Sequence, residues 1–327
     1  MNFSTNIINI LTAKTYKGIG RAWIVKNLKG NESTATIVTL LNRDAKEDYH
    51  ITVEDFESRS NIIRNKFLKL EGFIDGAVAI GDDNFPPYRG KVKNSEQPIV
   101  IFYRGNLSLL NANNKIIAVI GLLNPDRDIE TMEQKVVAEL VKNGATIISG
   151  LALGCDSIAH KQALSSNGKT VAILPSPLNN ILPATNENLA DEIVKNNGLL
   201  ITEYSENAKS KMELGGRYQE RDRLQALFSN SIILSASYTK NDQGNDSGSR
   251  LAMGYALNYS IPRAVIYDPV TNENNPKCDL NRQLINEQEE LTIINQSNLV
   301  SSIKKIMSNK PDITNNQPSQ PSLFDLM

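Results

Sequence analysis

Two glycine-containing loops have residue types that can bind a phosphate. Gly150 and Gly154 stand between a short apolar run and a segment of helical periodicity, and Ser247, Gly248 and Ser249 stand at a second predicted helix start. Glycine lets the backbone approach a ligand closely, and unpaired amides at a helix start attract an anion. Both loops therefore predict an anion-binding site. The alternative for the first loop is a tight turn in which the glycines serve backbone geometry alone.

An arginine cluster lies between these loops and consists of Arg217, Arg221 and Arg223. We expect it at the entry to a helix, at the same edge of the protein as the glycine loops. A guanidinium binds phosphate through two parallel hydrogen bonds, which favours a role in the same site. The alternative is a solvated helix start in which the arginines pair with Glu220 and Asp222.

The sequence lacks the residue patterns of cofactor-binding and metal-binding sites. The sequence has neither GxGxxG after its first core strand nor GxxxxGK[ST], which argues against a dinucleotide cofactor or a P-loop reaction, so we predict no cofactor. Its two cysteines, Cys155 and Cys278, and two histidines, His50 and His160, lack metal-ligand spacing, so we predict no metal.

No catalytic residue is predicted, because no triad or carboxylate pair is present. Cys155 has one alternative as a thiol of lowered pKa at a helix start, but no base adjoins it in sequence. His160 is interpreted as a packed scaffold residue, and Asp156 as a carboxylate that stabilises a helix start.

Composition indicates an ordinary globular protein. The 327 residues are 40% hydrophobic and have a net charge of −1, so any nucleic-acid site must be a local patch rather than a basic coat. No apolar run approaches the length of a membrane span, and the first residues lack the pattern of a signal peptide. We therefore expect a cytoplasmic protein with no membrane contact.

The elements that must position the loops follow from periodicity. From Lys115, short apolar runs alternate with segments of helical period, which predicts an α/β fold, a doubly wound and mostly parallel sheet with helices on both faces. Ligands of such sheets bind outside the carboxyl ends of the strands. The predicted strands are Ala77 to Ile80, Ile99 to Tyr103, Ile116 to Gly121, Thr146 to Gly150, Thr170 to Leu174, Leu199 to Tyr204, Ser231 to Ala236 and Pro262 to Tyr267.

Three regions are predicted along the chain. Residues 1–72 form a small helical domain, 73–308 the sheet domain, and 309–327 a polar, disordered tail. Within the first region, Thr15 to Leu28 resembles a helix-hairpin-helix unit, whose turn amides contact a DNA backbone. Two packed helices joined by a glycine turn are the alternative.

The loops also form a recognisable order. "IISGLALGCDSIAHKQAL" is close to S-G-x-A-x-G-x-D-x-x-A-H-x-x-A-L, "RYQERDRLQALFS" to F-P-x-R-N-R-x-I-A-G-L-S, and "SGSRLAMGYA" to S-G-S-L-x-T-A-x-x-A. "FPPYRG", "QPIVIFYRGN" and "ILPATNENLADEIVKNNGLLITEY" match further segments of the same pattern. The chain therefore resembles the DprA/Smf family of DNA-processing proteins, from its N-terminal helices to about Ser301.

The resemblance implies a fold and a function. It implies an extended Rossmann-like domain preceded by a small helical domain of the helix-hairpin-helix or SAM-like type. It also implies a homodimer without catalytic turnover that binds single-stranded DNA and loads the RecA recombinase, notably in natural transformation. The DNA-binding positions that it implies are Gly150, Gly154, Lys169, Arg221, Arg223, Ser247, Gly248 and Ser249.

The chain also departs from the family pattern. The usual Gly-Ser-Arg after the first core strand is here Gly121-Leu122-Leu123, and we expect Arg127 to reach the same space from a longer loop. The asparagine of the Arg-Asn-Arg motif is here Asp222, which adds a carboxylate near the expected phosphates. The residues after "LVSSIKKIM" are too few and too polar for the winged-helix domain that ends many members.

The last residues contain a second motif. "QPSLF" resembles the short motif by which bacterial replication and repair proteins bind the sliding clamp of DNA polymerase. In that mode Gln320 hydrogen-bonds at the pocket rim, while Leu323 and Phe324 fill an apolar cleft. The alternative is a tail whose apolar end folds back on its own domain or on a partner subunit.

The leading hypothesis is a non-enzymatic single-stranded DNA-binding protein that acts as a recombination mediator. A rival is a nucleotide-binding or nucleotide-hydrolysing protein of Rossmann-like fold, although the P-G-G-x-G-T-x-x-E motif of such hydrolases is replaced by "NDSGSRLAMGYA", without a glutamate. A third possibility is a defence or mobile-element adaptor with the same fold and another ligand.

Overall fold

The computed structural model describes residues 3–240, 248–287 and 290–314. Its N-terminal region consists of helices, as the sequence predicts, and three of them begin at a serine or threonine whose side chain accepts a hydrogen bond from a backbone amide of the first turn. These helices are α1 (Thr5–Ala13), α2 (Arg21–Asn27), α3 (Thr34–Asp44) and α4 (Val53–Phe67).

The predicted helix-hairpin-helix segment, Thr15 to Leu28, contains one helix rather than two. Helix α1 already ends at Ala13, and the turn that follows includes Gly18 in the left-handed region, at φ +84°. The two helices therefore lie on either side of a longer turn than the sequence suggested. Arg21, at the start of α2, faces the sheet domain and binds two glutamates there.

Eleven strands follow in the described part of the chain, and nine of them form one sheet. They are β1 (Gly76–Ala79), β2 (Tyr88–Arg89), β3 (Val100–Gly105), β4 (Ile116–Ile120), β5 (Thr146–Ser149), β6 (Lys169–Ile173), β7 (Leu199–Thr202), β8 (Ser231–Leu234), β9 (Arg263–Ile266), β10 (Leu291–Ile294) and β11 (Ile313–Thr314).

The large sheet has the order β1-β3-β7-β6-β5-β4-β8-β9-β10. Strands β4 to β10 pair in parallel, whereas β3 pairs antiparallel with both β1 and β7. The predicted α/β fold with a mostly parallel sheet is confirmed. Strand β4 lies between β5 and β8, so the strand order reverses there and a crevice opens at the carboxyl ends of β4 and β8.

Helices cover both faces of this sheet. In β4, Ile116, Ala118 and Ile120 belong to one buried apolar cluster, while Ile117 and Val119 belong to another, as expected when alternate side chains point to opposite faces. The remaining helices are α5 (Arg127–Lys142), α6 (Cys155–Ser165), α7 (Glu187–Lys195), α8 (Lys211–Leu227), α9 (Gly248–Asn258), α10 (Pro269–Asn272), α11 (Asp279–Asn286) and α12 (Leu299–Ser308).

The segment after α12 is packed against the sheet domain. Strand β11 pairs antiparallel with β2, and Lys115 Nζ donates a 2.6 Å hydrogen bond to the carbonyl oxygen of Asn309. Asn309 Nδ2 in turn donates to Ser231 Oγ at 2.8 Å. Residues 309–314, which the sequence predicts as the start of a disordered tail, are therefore ordered: Asn309 is held beside the first residues of β4 and β8, and 313–314 pair with β2. The C-terminal motif lies outside the described residues.

Among residues 3–240, 248–287 and 290–314, no helix combines the length and the apolar character that crossing a bilayer requires.

Candidate nucleic-acid-binding site

A pocket of about 550 Å³ lies in the crevice at the carboxyl ends of β4 and β8. We call its buried polar residues the floor: Asp156, Arg221, Asp222 and Gln225. Leucines at 66% and 47% exposure and two half-buried tyrosines form what we call the rim: Leu123, Leu153, Tyr218 and Tyr238. The structure thus places a ligand-sized pocket at the edge that the sequence predicts.

Both predicted glycine loops reach this pocket. Gly150 packs so closely against α8 that an added Cβ would overlap Arg221 Nη1 and lie 2.7 Å from Asp156 Oδ2. Gly154 has φ +70°, and its added Cβ would overlap the carbonyl oxygen of Leu122. Both positions therefore require glycine, because larger residues would displace the loop or the floor.

The amides expected to be unpaired at the start of α6 have partners within the chain. The amide of Ala152 donates to Asp156 Oδ2 at 3.3 Å, and the amide of Cys155 donates to the carbonyl oxygen of Leu122 at 2.9 Å. The carboxylate of Asp156 thus sits where the sequence predicted a phosphate. These two amides are therefore not the unpaired donors that the sequence predicted, since one binds a carboxylate and the other a backbone carbonyl oxygen of the chain itself.

The arginines do not stand at a helix entry. Helix α8 begins at Lys211, where Ser210 Oγ accepts from the amide of Glu213 at 3.1 Å, and continues through Gly215 and Gly216. Arg217 therefore lies in its second turn, and the other two arginines lie in its buried second half. The glycine pair suggested a break, but the cap and the packing of the following turns maintain the helix.

Arg221 is the cation of the floor. It donates from Nη1 to the carbonyl oxygen of Gly150 at 2.7 Å and from Nη2 to Asp222 Oδ1 at 3.0 Å, and Nη1 lies 3.8 Å from Asp156 Oδ2. Burial raises the pKa of Asp222 to about 6, although Arg221 opposes that shift. Among the described lining residues Arg221 is the single cation, and two carboxylates accompany it.

Arg223 points away from this pocket. It is 1% exposed, and its Nη2 donates to Glu203 Oε2 at 2.6 Å. Arg21 of α2 binds the same glutamate at 3.3 Å and also Glu220 at 2.6 Å. The structure thus assigns Arg223 to a buried ion network between the N-terminal helices and the sheet domain. Pairing with Glu220, the alternative from sequence, is present at 3.4 Å.

Lys169 and Arg127 are not brought to the pocket. Lys169 opens β6, so it lies at the opposite, amino edge of the sheet, where Nζ donates to the carbonyl oxygen of Asn196 at 2.9 Å. Arg127 is exposed at the start of α5 and does not line the pocket.

Of the second loop, Gly248 and Ser249 open α9 and line the pocket, and Ser249 Oγ donates to the carbonyl oxygen of Gly121 at 3.3 Å. An added Cβ at Gly248 would lie 2.6 Å from Asp222 Oδ2. Four predicted residues lie outside the described part of the chain: Ser247, Gln320, Leu323 and Phe324.

Two buried polar residues were missed by sequence reasoning. Gln225 is 1% exposed and lines the pocket, and its Nε2 has no hydrogen-bond partner among the described residues. Glu133 is fully buried beside Cys155 and Ser235, and burial raises its pKa well above the usual value. A signal for Glu133 was available, because it lies four residues after Ile129 and three before Val136, on the apolar face of α5.

Cys155 and His160 belong to the scaffold. Burial, together with the neighbouring Glu133, raises the pKa of the Cys155 thiol well above its usual value, so the alternative of a lowered thiol pKa is wrong. Burial lowers the pKa of His160 to about 3, and its Nδ1 lies 2.7 Å from Thr170 Oγ1. Because that hydroxyl also donates to the carbonyl oxygen of Ile147, neutral His160 is the donor to it.

Comparison with known proteins adds an independent observation. The sequence profile of a family described as DNA recombination-mediator protein A matches residues 76–304. Protein Smf of Synechocystis sp. is 30% identical over 165 residues, covering 50% of this chain and 39% of that protein. DNA processing protein DprA of Streptococcus pneumoniae is 31% identical over 173 residues, covering 53% and 56% respectively. The matched part thus spans about half the length of such relatives.

Two solved structures resemble this one. DNA processing protein A of Streptococcus pneumoniae superposes with a TM-score of 0.69 at 22% identity, over 92% of this chain and 98% of the other, which indicates a shared fold. DNA processing protein A of Helicobacter pylori, described with a single-stranded DNA-binding mode, gives a TM-score of 0.53 at 26% identity over 64% and 87%.

Proposed function

Because the chain belongs to the DNA recombination-mediator protein A family, also called DprA/Smf, we propose that it binds single-stranded DNA at the pocket between β4 and β8. We propose further that it acts as a recombination mediator without catalytic turnover. The observation that supports this site most directly is the convergence of both glycine loops and Arg221 on one crevice at the point where the strand order reverses.

The DNA-binding residues that we propose are those near the pocket: Gly150, Gly154, Arg221, Gly248, Ser249 and, from the family pattern, Ser247. Gly150 and Gly154 let their loop pack against Arg221 and Leu122, while Arg221 and the hydroxyls supply hydrogen bonds. Arg223 is proposed to hold α8 in position through Glu203. Lys169 and Arg127 are left out of the pocket, since one lies at the opposite edge and the other outside the lining.

Fluorescence anisotropy of a labelled oligonucleotide across a salt series tests this function. We expect binding that weakens as salt rises, and a loss of about tenfold or more for Arg221→Gln, because the charged hydrogen bonds from Arg221 to Gly150 and Asp222, which hold the floor, are removed. Arg217→Gln is the matched control on the same helix: Arg217 pairs with Glu213 and does not line the pocket. No binding at low salt, or equal affinity of Arg221→Gln and wild type, would reject the pocket assignment.

RecA and a second copy of the chain are the proposed protein partners, and these partners are consistent with action in the cytoplasm. The support is the family resemblance. Light scattering after gel filtration should give the mass of a dimer, and RecA should be retained on immobilised protein that already holds single-stranded DNA. A monomer mass at every concentration tested would argue against the dimer.

A tether to the sliding clamp is proposed from the sequence motif alone. A labelled peptide of the last residues should bind the clamp weakly, and Phe324→Ala should abolish that binding because an apolar anchor is lost. Ser322→Ala, within the same segment, is the control. A peptide that instead binds this protein's own sheet domain would support the folded-back tail.

A further inference from the structure

The floor of the pocket has no spare positive charge. One arginine and two aspartates give the described lining a net charge of −1 when both carboxylates are ionised. Arg221 already donates to Gly150 and Asp222, so a phosphate placed on the floor would meet a committed cation and two anions. An uncharged group therefore fits this floor better than a phosphate does.

The rim fits a flat, largely apolar group. Leu123 and Leu153 are exposed at 66% and 47%, and Tyr218 and Tyr238 line the same opening. Nucleobases bind to such side chains through their faces, whatever their sequence. A base that stacks on the rim points one of its polar edges toward the floor. The donors and acceptors of the floor then favour bases whose edge is complementary to them.

The floor offers carboxylate acceptors and one amide donor without a partner among the described residues. Asp222 and Gln225 are three residues apart on α8, which places them on one face of the helix. Gln225 Nε2 is buried and has no acceptor among the described residues. Asp222 accepts from Arg221 through Oδ1, and a carboxylate has further lone pairs that can accept from another donor. This pattern is complementary to an exocyclic amino group with an acceptor atom beside it.

We propose that Asp222, with Gln225, makes this pocket selective for a nucleobase that has an exocyclic amino group, over thymine or uracil. The inference rests on the proposed single-stranded DNA binding and adds a specificity to it. Cytosine, for example, donates from its amino group and accepts at the adjacent ring nitrogen. Thymine and uracil have one N–H on that edge, between two carbonyl oxygens that a carboxylate repels.

Oligo(dC) and oligo(dU) of equal length provide the test, since the two bases differ only on that edge. Measured by anisotropy at neutral pH and fixed salt, the wild type should bind oligo(dC) about tenfold more tightly than oligo(dU), the discrimination typical of one well-placed pair of contacts. Oligo(dT) should behave like oligo(dU), and an abasic strand of the same length should bind more weakly than oligo(dC).

Variants test whether Asp222 and Gln225 cause the selectivity between the two bases. Asp222→Asn, which restores the amide of the family pattern, should bring the ratio of affinities close to one, and Gln225→Leu should weaken oligo(dC) binding. Asp191→Asn is the control, because that aspartate pairs with Arg104 at the surface and does not line the pocket. A ratio that persists in folded Asp222→Asn protein would overturn the assignment to this residue.

The wild-type measurement decides the proposal even if Asp222→Asn does not fold. Equal affinity for oligo(dC), oligo(dU) and the abasic strand would overturn the base selectivity while leaving single-stranded DNA binding intact. Failure to bind every oligonucleotide would overturn both.

Discussion

Arg221 Nη1 donates a 2.7 Å hydrogen bond to the carbonyl oxygen of Gly150. This contact joins helix α8 to the loop after β5, two segments that lie 71 residues apart in the chain. It requires that residue 150 have no side chain, because a Cβ there would occupy the place of the guanidinium. The shape of the floor thus depends on one arginine and one glycine together.

Gly150→Ala should therefore reduce both stability and DNA binding. An added methyl group that forces the floor apart is expected to cost about 1–3 kcal/mol in the free energy of unfolding. Urea unfolding and anisotropy measure the two effects. Gly215→Ala is the matched control, because Gly215 is an exposed residue inside α8 with no neighbouring atom near an added Cβ. That change should stabilise the protein by about 0.5–1 kcal/mol. Wild-type stability and affinity in the Gly150→Ala variant would contradict this account of the floor.

Arg223→Ala should destabilise the protein rather than alter the pocket directly. Removing Arg223 leaves buried Glu203 with only its longer contact to Arg21, at a cost of about 3 kcal/mol. Arg104→Ala, which breaks an exposed pair with Asp191, should cost about 0–1 kcal/mol in the same urea titration. If the Arg223→Ala variant were as stable as the wild type and had only a lower affinity for DNA, Arg223 would belong to the binding site after all.

Glu133→Gln should make the protein more stable at neutral and higher pH. Burial raises the pKa of Glu133 well above its ordinary value of 4.5, so the folded state keeps a proton that the unfolded chain releases. The contribution of Glu133 to the free energy of unfolding therefore falls by about 1.4 kcal/mol per pH unit above pH 4.5, until its folded-state pKa is passed. Glutamine removes this contribution to the slope. Glu57→Gln, on the exposed surface of α4, serves as the control, and identical pH slopes for all three proteins would refute the prediction.

Protonation of His160 should lower the stability of the folded protein at acidic pH. Its pKa is about 3 in the folded protein against 6.5 ordinarily, so the unfolded chain takes up a proton first. The stability contributed by neutral His160 is complete above pH 6.5 and falls as the pH decreases toward 3. Thermal unfolding of His160→Gln should show a smaller change between these values than the wild type. His50→Gln, a change at the exposed second histidine, should leave the wild-type change intact.

The sequence predicted the sheet well because buried parallel strands are continuous apolar runs, and the run ending at Ile120 is one of them. It also contained the information to place Lys169, since the first residue of a strand lies at the amino edge. The start of α8 was missed because Gly215 and Gly216 resemble a break, while the cap at Ser210 acts five residues earlier.

The partners of charged groups could not be predicted in the same way. Asp156 and Arg223 satisfy their charges through Ala152, Arg221 and Glu203, contacts set by the packing of loops and helices rather than by local pattern. A glycine loop that binds a phosphate and one whose amide binds its own carboxylate show the same sequence pattern. Only the folded structure distinguishes the two.

Strand β11 has a practical consequence for any experiment that attaches this protein to a surface. It pairs with β2, whose Arg89 binds the carbonyl oxygens of Asn111 and Asn114 just before β4, so Thr314 lies near the amino edge of the large sheet, whereas the pocket opens at the carboxyl edge. A chain anchored beyond Thr314 would present the crevice outward, and the proposed binding site would stay accessible from solution.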